Sequence, residues 1–438
     1  SFCIFVIMRI CSWLCAIILF SGLPVSAQMK TDTFLAKLLE SNEDTLVQRM
    51  LREKDKYRIQ VIYTRIDRDA SNRPSFKNFY FNTGDSLYYY PASTVKLPLA
   101  ALSLEKLNRM QLPAINKFTP VQYDSSYSGQ RSLFKDSTSS SGLPSIAQFI
   151  RKAFLISDND AYNRMYEFVG QQEINRSLHA KGYGHTRIVR QFMRLGEEEN
   201  RHTNQVRFLD KSGNTIFIQA PAYNRDSFDF SRPAFLGEAY LDRNDSLVKE
   251  PMNFTRHNNI PLEDLQQILQ SILFPMSVPV RQRFKLTGDD YAFLYRYLSQ
   301  YPSETPWPKY DTSVFYDSYV KFFFRKGGHR IPAFIRVFNK VGWAYGCLTD
   351  VSYVVDFRNR IEFMLTATVY TNEDGILNDD RYEFETEGLP FLYQTGQIIY
   401  GYELHRKRQY PPNLDAFKLK YEKRDPGDLR PSIRNVDN

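Results

Sequence analysis

The sequence predicts a mixed α/β (α+β) fold: an antiparallel sheet built from both chain ends, flanked by helices, plus a helical subdomain. Three observations predict it. Alternating patterns that read as strands lie near the start, between residues 57 and 90, and near the end, between 334 and 370. Helical spacing dominates the stretch between them. No internal repeat occurs, which sets aside solenoids and propellers.

The elements follow in order. Phe34, Leu35, Leu38, Leu39, Leu46, Val47, Met50 and Leu51 recur at helical spacing. Residues 57–67 alternate through Ile59, Val61, Tyr63 and Arg65, as a strand does. A second strand is expected at 76–82, resuming at 87–90. Helices are expected at 93–108, 145–156 and 160–181, the last broken at Gly170. Segments 206–209 and 215–219 flank Asp210-Lys211-Ser212-Gly213-Asn214, the chemistry of a hairpin turn. Residues 221–259 are rich in Asn, Asp and Pro and read as an irregular excursion. Helices return at 262–274 and 288–300, then strands at 334–339, 349–357 and 361–370, then a helix at 389–404.

Composition narrows the class. Of 438 residues, 42% are hydrophobic and 24% charged, which excludes a wholly disordered or collagen-like chain. Four Cys at this length exclude a disulfide-dense scaffold. Arg9, an apolar run over 10–20 and the small residues Val25-Ser26-Ala27 have the pattern of a cleaved signal peptide, residues 1–27. The leader would remove Cys3, Cys11 and Cys15 and leave Cys347 alone, so no internal disulfide is expected. Beyond Gln28 no stretch is apolar enough to cross a membrane. A periplasmic or secreted protein and a monomer are expected.

The formal charge is +8. The segment 405–438 holds nine Lys or Arg and five acids, so half of that charge falls there. With its prolines it reads as a loose, solvated tail. A nucleic-acid partner needs a basic surface on the folded body, so none is expected. The folded unit is placed at 28–404, with 205–259 inserted into it.

The chemistry begins at Ser93-Thr94-Val95-Lys96. The Ser-x-x-Lys spacing alone is weak, since Ser103/Lys106, Ser132/Lys135, Ser246/Lys249 and Ser318/Lys321 share it. Only the first follows Pro91 and opens an apolar helical face (Leu97, Ala100, Ala101, Leu104, Leu107). That places Ser93 at a helix N-terminus, where anions are favoured, with Lys96 one turn on and on the same face. A neutral lysine there can take the serine proton, which requires burial or neighbouring positive charge.

Ser157-Asp158-Asn159 lies at a break between two amphipathic helices. Such a trio serves either as a helix cap or as a site, with Ser157 relaying a proton, Asn159 holding a substrate carbonyl and Asp158 bracing the turn. A third piece, Lys-x-Gly, has two candidates. Lys211-Ser212-Gly213 reads as a hairpin tip, whereas Lys340-Val341-Gly342 ends a strand. Lys340 would supply positive charge, and the N–H groups of Trp343 and Ser93 would form an oxyanion hole. His185, His202 and His257 lack metal-ligand spacing.

In this order the three pieces resemble the penicillin-recognising serine enzymes, and most closely the class A β-lactamase branch. The residues that carry the resemblance are Pro91-Ala92-Ser93-Thr94-Val95-Lys96, Ser157-Asp158-Asn159-Asp160-Ala161-Tyr162-Asn163 and Lys340-Val341-Gly342-Trp343-Ala344-Tyr345-Gly346. It implies the serine β-lactamase/DD-peptidase fold, an acyl-enzyme on Ser93, no metal, no cofactor, and a small-molecule β-lactam or cell-wall peptide as substrate. Catalytic roles fall to Ser93, Lys96, Ser157 and Lys340, and substrate binding to Asn159, Gly342 and Trp343. A cell-wall peptidase and a non-catalytic binding module on the same fold are the rivals.

Two departures stand out. Val341 occupies the place of a hydroxyl residue that helps hold the β-lactam carboxylate. Phe192 falls where a loop Glu would activate the deacylating water. Glu197, Glu198 and Glu199 follow, either as a solvated acidic turn or as a replacement for that Glu.

Overall fold

Alternation of side chains along the strands places two separate cores on the two faces of one sheet. The computed structural model describes residues 29–84, 86–125, 127, 131–326 and 330–436. The leader read at 1–27 lies outside the described residues.

Helices α1 (Thr33–Glu40) and α2 (Thr45–Arg52) divide the first apolar pattern, with Asp44 capping α2 through the N–H groups of Leu46 and Val47. Strands β1 (Gln60–Arg68) and β2 (Pro74–Phe81) form a hairpin. A 3-10 turn, Ala92–Val95, leads into α3 (Lys96–Met110). After β3 (Val121–Tyr123) come α4 (Ile146–Leu155), α5 (Asn159–Val169) and α6 (Gln171–Ala180), the last two parted at Gly170. Strands β4 (Val206–Leu209) and β5 (Thr215–Gln219) pair across the Asp210–Asn214 turn.

Short paired strands replace the irregular excursion: β6 (Phe235–Leu236), β7 (Ala239–Leu241), β8 (Leu247–Val248) and β9 (Met252–Asn253). Then follow α7 (Leu262–Leu273), α8 (Gly288–Ser299), β10 (Ile335–Ala344), β11 (Cys347–Asp356), β12 (Ile361–Tyr370), β13 (Ile376–Leu377) and α9 (Leu389–His405).

The main sheet runs β10-β11-β12-β1-β2, antiparallel throughout. Strand β12 pairs with β1, so the two chain ends meet in one sheet as the pattern predicted. Val61, Tyr63, Val337 and Val341 pack in the core shared with α1, α2 and α9. Ile62, Phe338, Val351 and Tyr353 pack in the other, with α3, α4, α5 and α7. Period-two alternation therefore sends Lys340 and Val341 to opposite faces of β10.

Two expectations are corrected. Residues 87–90 form no strand: Tyr89 and Tyr90 are both buried, which alternation forbids on a one-sided strand, and the Tyr90 N–H donates to Cys347 Sγ at 3.4 Å. The segment beyond α9 is not a loose tail. Leu414 and Phe417 are buried, and the Phe417 ring lies 4.8 Å from that of Tyr353. Arg406 pairs with Glu403 and Asp67, Arg424 donates to the carbonyls of Pro302 and Thr305, and Arg430 lies 3.4 Å over the Trp307 ring. Ile433 then exchanges backbone hydrogen bonds with Lys309 and Asp311 at 2.8 and 2.9 Å. The basic residues that suggested solvation are its anchors to acids, carbonyls and rings of the body. Among the described residues no helix is long and apolar enough to cross a membrane.

Candidate active site

Four segments converge at one end of β10. The 3-10 turn brings Ser93, the first turn of α3 brings Lys96, the α4–α5 junction brings Ser157 and Asn159, and β10 brings Lys340. Local backbone form helps to aim them. Ala92 (φ 44°) and Ser157 (φ 67°) adopt the left-handed region that non-glycine residues rarely visit, and such strain gathers at functional sites. Asp158 caps α5, its Oδ1 accepting the Ala161 N–H at 2.8 Å, which braces the turn as expected.

Lys96 is fully buried. Its Nζ lies 2.7 Å from Ser93 Oγ, 2.5 Å from the Ser157 carbonyl, 2.8 Å from Asn159 Oδ1 and 3.3 Å from Ser157 Oγ. A neutral amine has two N–H donors and one lone pair. With the N–H groups given to the Ser157 carbonyl and Asn159 Oδ1, the lone pair faces Ser93. Burial brings the Lys96 pKa down to about 7. Lys340 Nζ donates to Ser157 Oγ at 2.9 Å and to the Val341 carbonyl at 2.7 Å. Burial first, and then the Lys96 charge, hold Lys340 well below the usual lysine range. Ser157 thus bridges two buried lysines.

Gly342 explains how β10 comes so near. A Cβ there would meet the Pro91 carbonyl at 2.5 Å and the Ser93 nitrogen at 3.1 Å. Only glycine permits this approach, which brings the Trp343 end of the strand beside the Ser93 amide.

Ser93, Ser157, Asn159 and Trp343 line a cavity of about 440 Å³, with Tyr90, Phe192, His257, Tyr319 and Tyr345 supplying rings. Arg190 and Arg194 add positive charge. Among the described lining residues none carries a carboxylate. His257 stays neutral, its pKa pushed down to about 3 by burial and by Arg190. The sequence pointed to the seven site residues and to Phe192, but not to Tyr90, His257, Tyr319, Arg190 or Arg194 as walls. Arg190, Phe192 and Tyr345 sat beside the motifs, whereas His257 and Val436 come from distant segments with no local signal. His257, at its far end, is the one residue of 205–259 among the described lining residues, while β4–β5 pairs with β3.

The two departures acquire a geometry. Val341 is fully buried on the far face of β10, outside the cavity. The Phe192 ring sits 5.0 Å from Lys96 Nζ, and its backbone N–H donates to Asn163 Oδ1 at 2.8 Å. Glu197 pairs with Arg256 at 2.9 Å, Glu198 faces Arg201 at 3.9 Å, and Glu199 accepts the Gly196 N–H at 2.5 Å. None of the three lines the cavity at Ser93.

Residues 46–214 match the family described as the β-lactamase enzyme family. No curated protein matches the sequence. Among solved structures, a β-lactamase from Streptosporangium roseum is 13% identical, with 84% of this chain and 99% of that one covered and a TM-score of 0.45. A β-lactamase from Desulfarculus baarsii is 13% identical, covering 85% and 98% at a TM-score of 0.44. A class A β-lactamase from Clostridium kluyveri is 14% identical, covering 82% and 98% at 0.42.

Proposed function

We propose, from the match of residues 46–214 to the β-lactamase enzyme family, that the protein is a serine hydrolase opening a β-lactam-like amide through an acyl-enzyme on Ser93. The observation that carries the reading is the 2.7 Å contact between Ser93 Oγ and a buried lysine whose pKa has fallen to about 7.

The Ser93 hydroxyl proton passes to Lys96 as Oγ bonds the carbonyl carbon. The N–H groups of Ser93 and Trp343 take the oxyanion. The C–N bond then breaks, and its nitrogen receives a proton through Ser157, which Lys96 and Lys340 contact on two sides. Asn159 holds the substrate's side-chain carbonyl. Water later cleaves the ester and frees Ser93. Export through the leader at 1–27 accompanies this reading, and an exported chain beginning at Gln28 would support it.

A second reading has an observation of its own. Phe192 covers Lys96 where the family has a glutamate, so the acyl-enzyme of a β-lactam would persist, as in a DD-peptidase-like protein acting on cell-wall peptides. Intact-mass measurement during incubation with a chromogenic cephalosporin separates the two. Colour without a lasting adduct supports the hydrolase, and an adduct without turnover supports the second. Equal inertness of wild-type and Ser93→Ala proteins toward every acylating β-lactam sinks both.

A further inference from the structure

The catalytic cavity continues into a second chamber of about 1050 Å³. The two share Asn159, Phe192, Met193, Arg194 and Val436. Ile433, Asn435 and Val436 of the docked C-terminal segment form part of its lining.

The described lining of this chamber carries four acids and four bases, but only two of the bases are paired with an acid. Each acid is engaged. Asp158 caps α5 and faces Lys152 at 3.8 Å. Asp160 and Glu167 pair with Arg164 at 3.3 and 3.5 Å. Glu199 accepts the Gly196 N–H. Lys152 and Arg164 are thereby matched. Arg131 and Arg194 are exposed, and neither guanidinium donates to or pairs with a described residue. A carboxylate entering here finds two open forks of planar donors that fit its geometry.

We propose that this chamber is a subsite for the negatively charged end of an elongated substrate: an amide with a carboxylate-terminated arm, the reacting carbonyl at Ser93 and the distal carboxylate on Arg194 with Arg131 beyond it. The placement of the reacting end rests on the reading given under Proposed function. A chamber of about 1050 Å³ beside the catalytic cavity exceeds what a compact ring system needs. Arg194, at the opening between the two spaces, is where such an arm must pass.

The test uses two cephalosporins that share one side arm, ending in a carboxylate in one and in its methyl ester in the other. Affinity is measured on Ser93→Ala protein by titration calorimetry, and acylation on wild-type protein by intact mass. The acid should bind Ser93→Ala about fivefold more tightly than the ester, the scale of one partly exposed charge pair. That ratio should collapse toward one in Ser93→Ala/Arg194→Glu, fall in part in Ser93→Ala/Arg131→Glu, and shrink as salt rises. Equal affinity, absence of binding by the acid, or a ratio that survives both charge reversals overturns the subsite. If neither compound acylates wild-type protein while Ser93→Ala still prefers the acid, the acyl-enzyme reading falls and the subsite stands.

Discussion

Ser93–Lys96 and Ser318–Lys321 share a spacing, and each ends in a lysine buried enough for its pKa to fall to about 7. Their surroundings differ. Lys321 Nζ donates to the carbonyls of Leu298 and Val337 at 2.7 and 3.0 Å and to Asn339 Oδ1 at 2.6 Å. These acceptors use all three donors of an ammonium, and Asp350 stands close by, itself bonded by Asn339. Ser318 Oγ is buried and makes no hydrogen bond among the described residues. Lys96, on which Asp158 acts as Asp350 does on Lys321, instead meets its own serine, and that serine lines an open cavity with no carboxylate among its described lining residues. A depressed lysine pKa therefore does not mark a nucleophile's base. The base needs its lone pair aimed at a hydroxyl that substrate can reach. At 93–96 a helical turn puts both side chains on one face. At 318–321 the chain turns, and the lysine points beneath β10 on the Asn339 face.

The largest effect belongs to the open pair. Ser93→Ala should lower β-lactam acylation by about four orders of magnitude, whereas Ser318→Ala should leave it within about twofold, both read by intact mass over time. Lys321→Met comes next. It strips donors from three buried acceptors and should cost about 3 kcal/mol in denaturant unfolding while acylation stays within a few-fold. Loss of acylation in Lys321→Met as severe as in Lys96→Met, with stability kept, would break the distinction.

The third effect sharpens it by adding what the open side lacks. Phe192→Glu sets a carboxylate beside Lys96 and should speed release of the acyl group by about tenfold or more. It also moves a pH profile. Acylation needs the neutral amine, so the wild-type rate should fall as pH drops below about 7, where Lys96 takes up a proton. A neighbouring anion favours the ammonium and raises the lysine pKa, so in Phe192→Glu the same limb should lie at higher pH. A wild-type limb near the ordinary lysine value would refute the role given to burial.

Legibility from sequence followed the same physics. The central sheet was readable because each strand repeats one simple alternation, and strands at both chain ends pointed to one shared sheet, though not to the pairing of β12 with β1. Ser93, Lys96 and Ser157 were readable because each sits at an element end within a short motif; Lys340 was readable from its motif alone, since β10 runs on past it to Ala344 rather than ending there as expected. The Lys321 network was not, because its partners Leu298, Val337 and Asn339 are brought together only by tertiary packing. The C-terminal segment was misread for a related reason. Leu414 and Phe417 are single apolar residues without a period, and its arginines bind loop carbonyls that no local pattern announces. Of the walls of the catalytic cavity, Val436 and His257 were invisible on the same account.

The smallest expected effect concerns the acids that follow Phe192. If the open side truly lacks a carboxylate, Glu197→Gln and Glu198→Gln should leave acyl release unchanged. Their stability cost should also be slight. Glu197 meets Arg256 with both side chains about half exposed, and Glu198 meets Arg201 at 3.9 Å from a largely exposed position. Water screens such pairs, which contribute at most about 0.5 kcal/mol each. The contrast with Lys321→Met is then one of surroundings rather than of charge, since both changes remove one ionisable group. Unfolding curves for the two Glu variants should overlay the wild type. Mass-resolved decay of the acyl-enzyme gives the decisive reading: slower release in Glu197→Gln or Glu198→Gln would place a working carboxylate on this loop and remove the distinction drawn for Phe192.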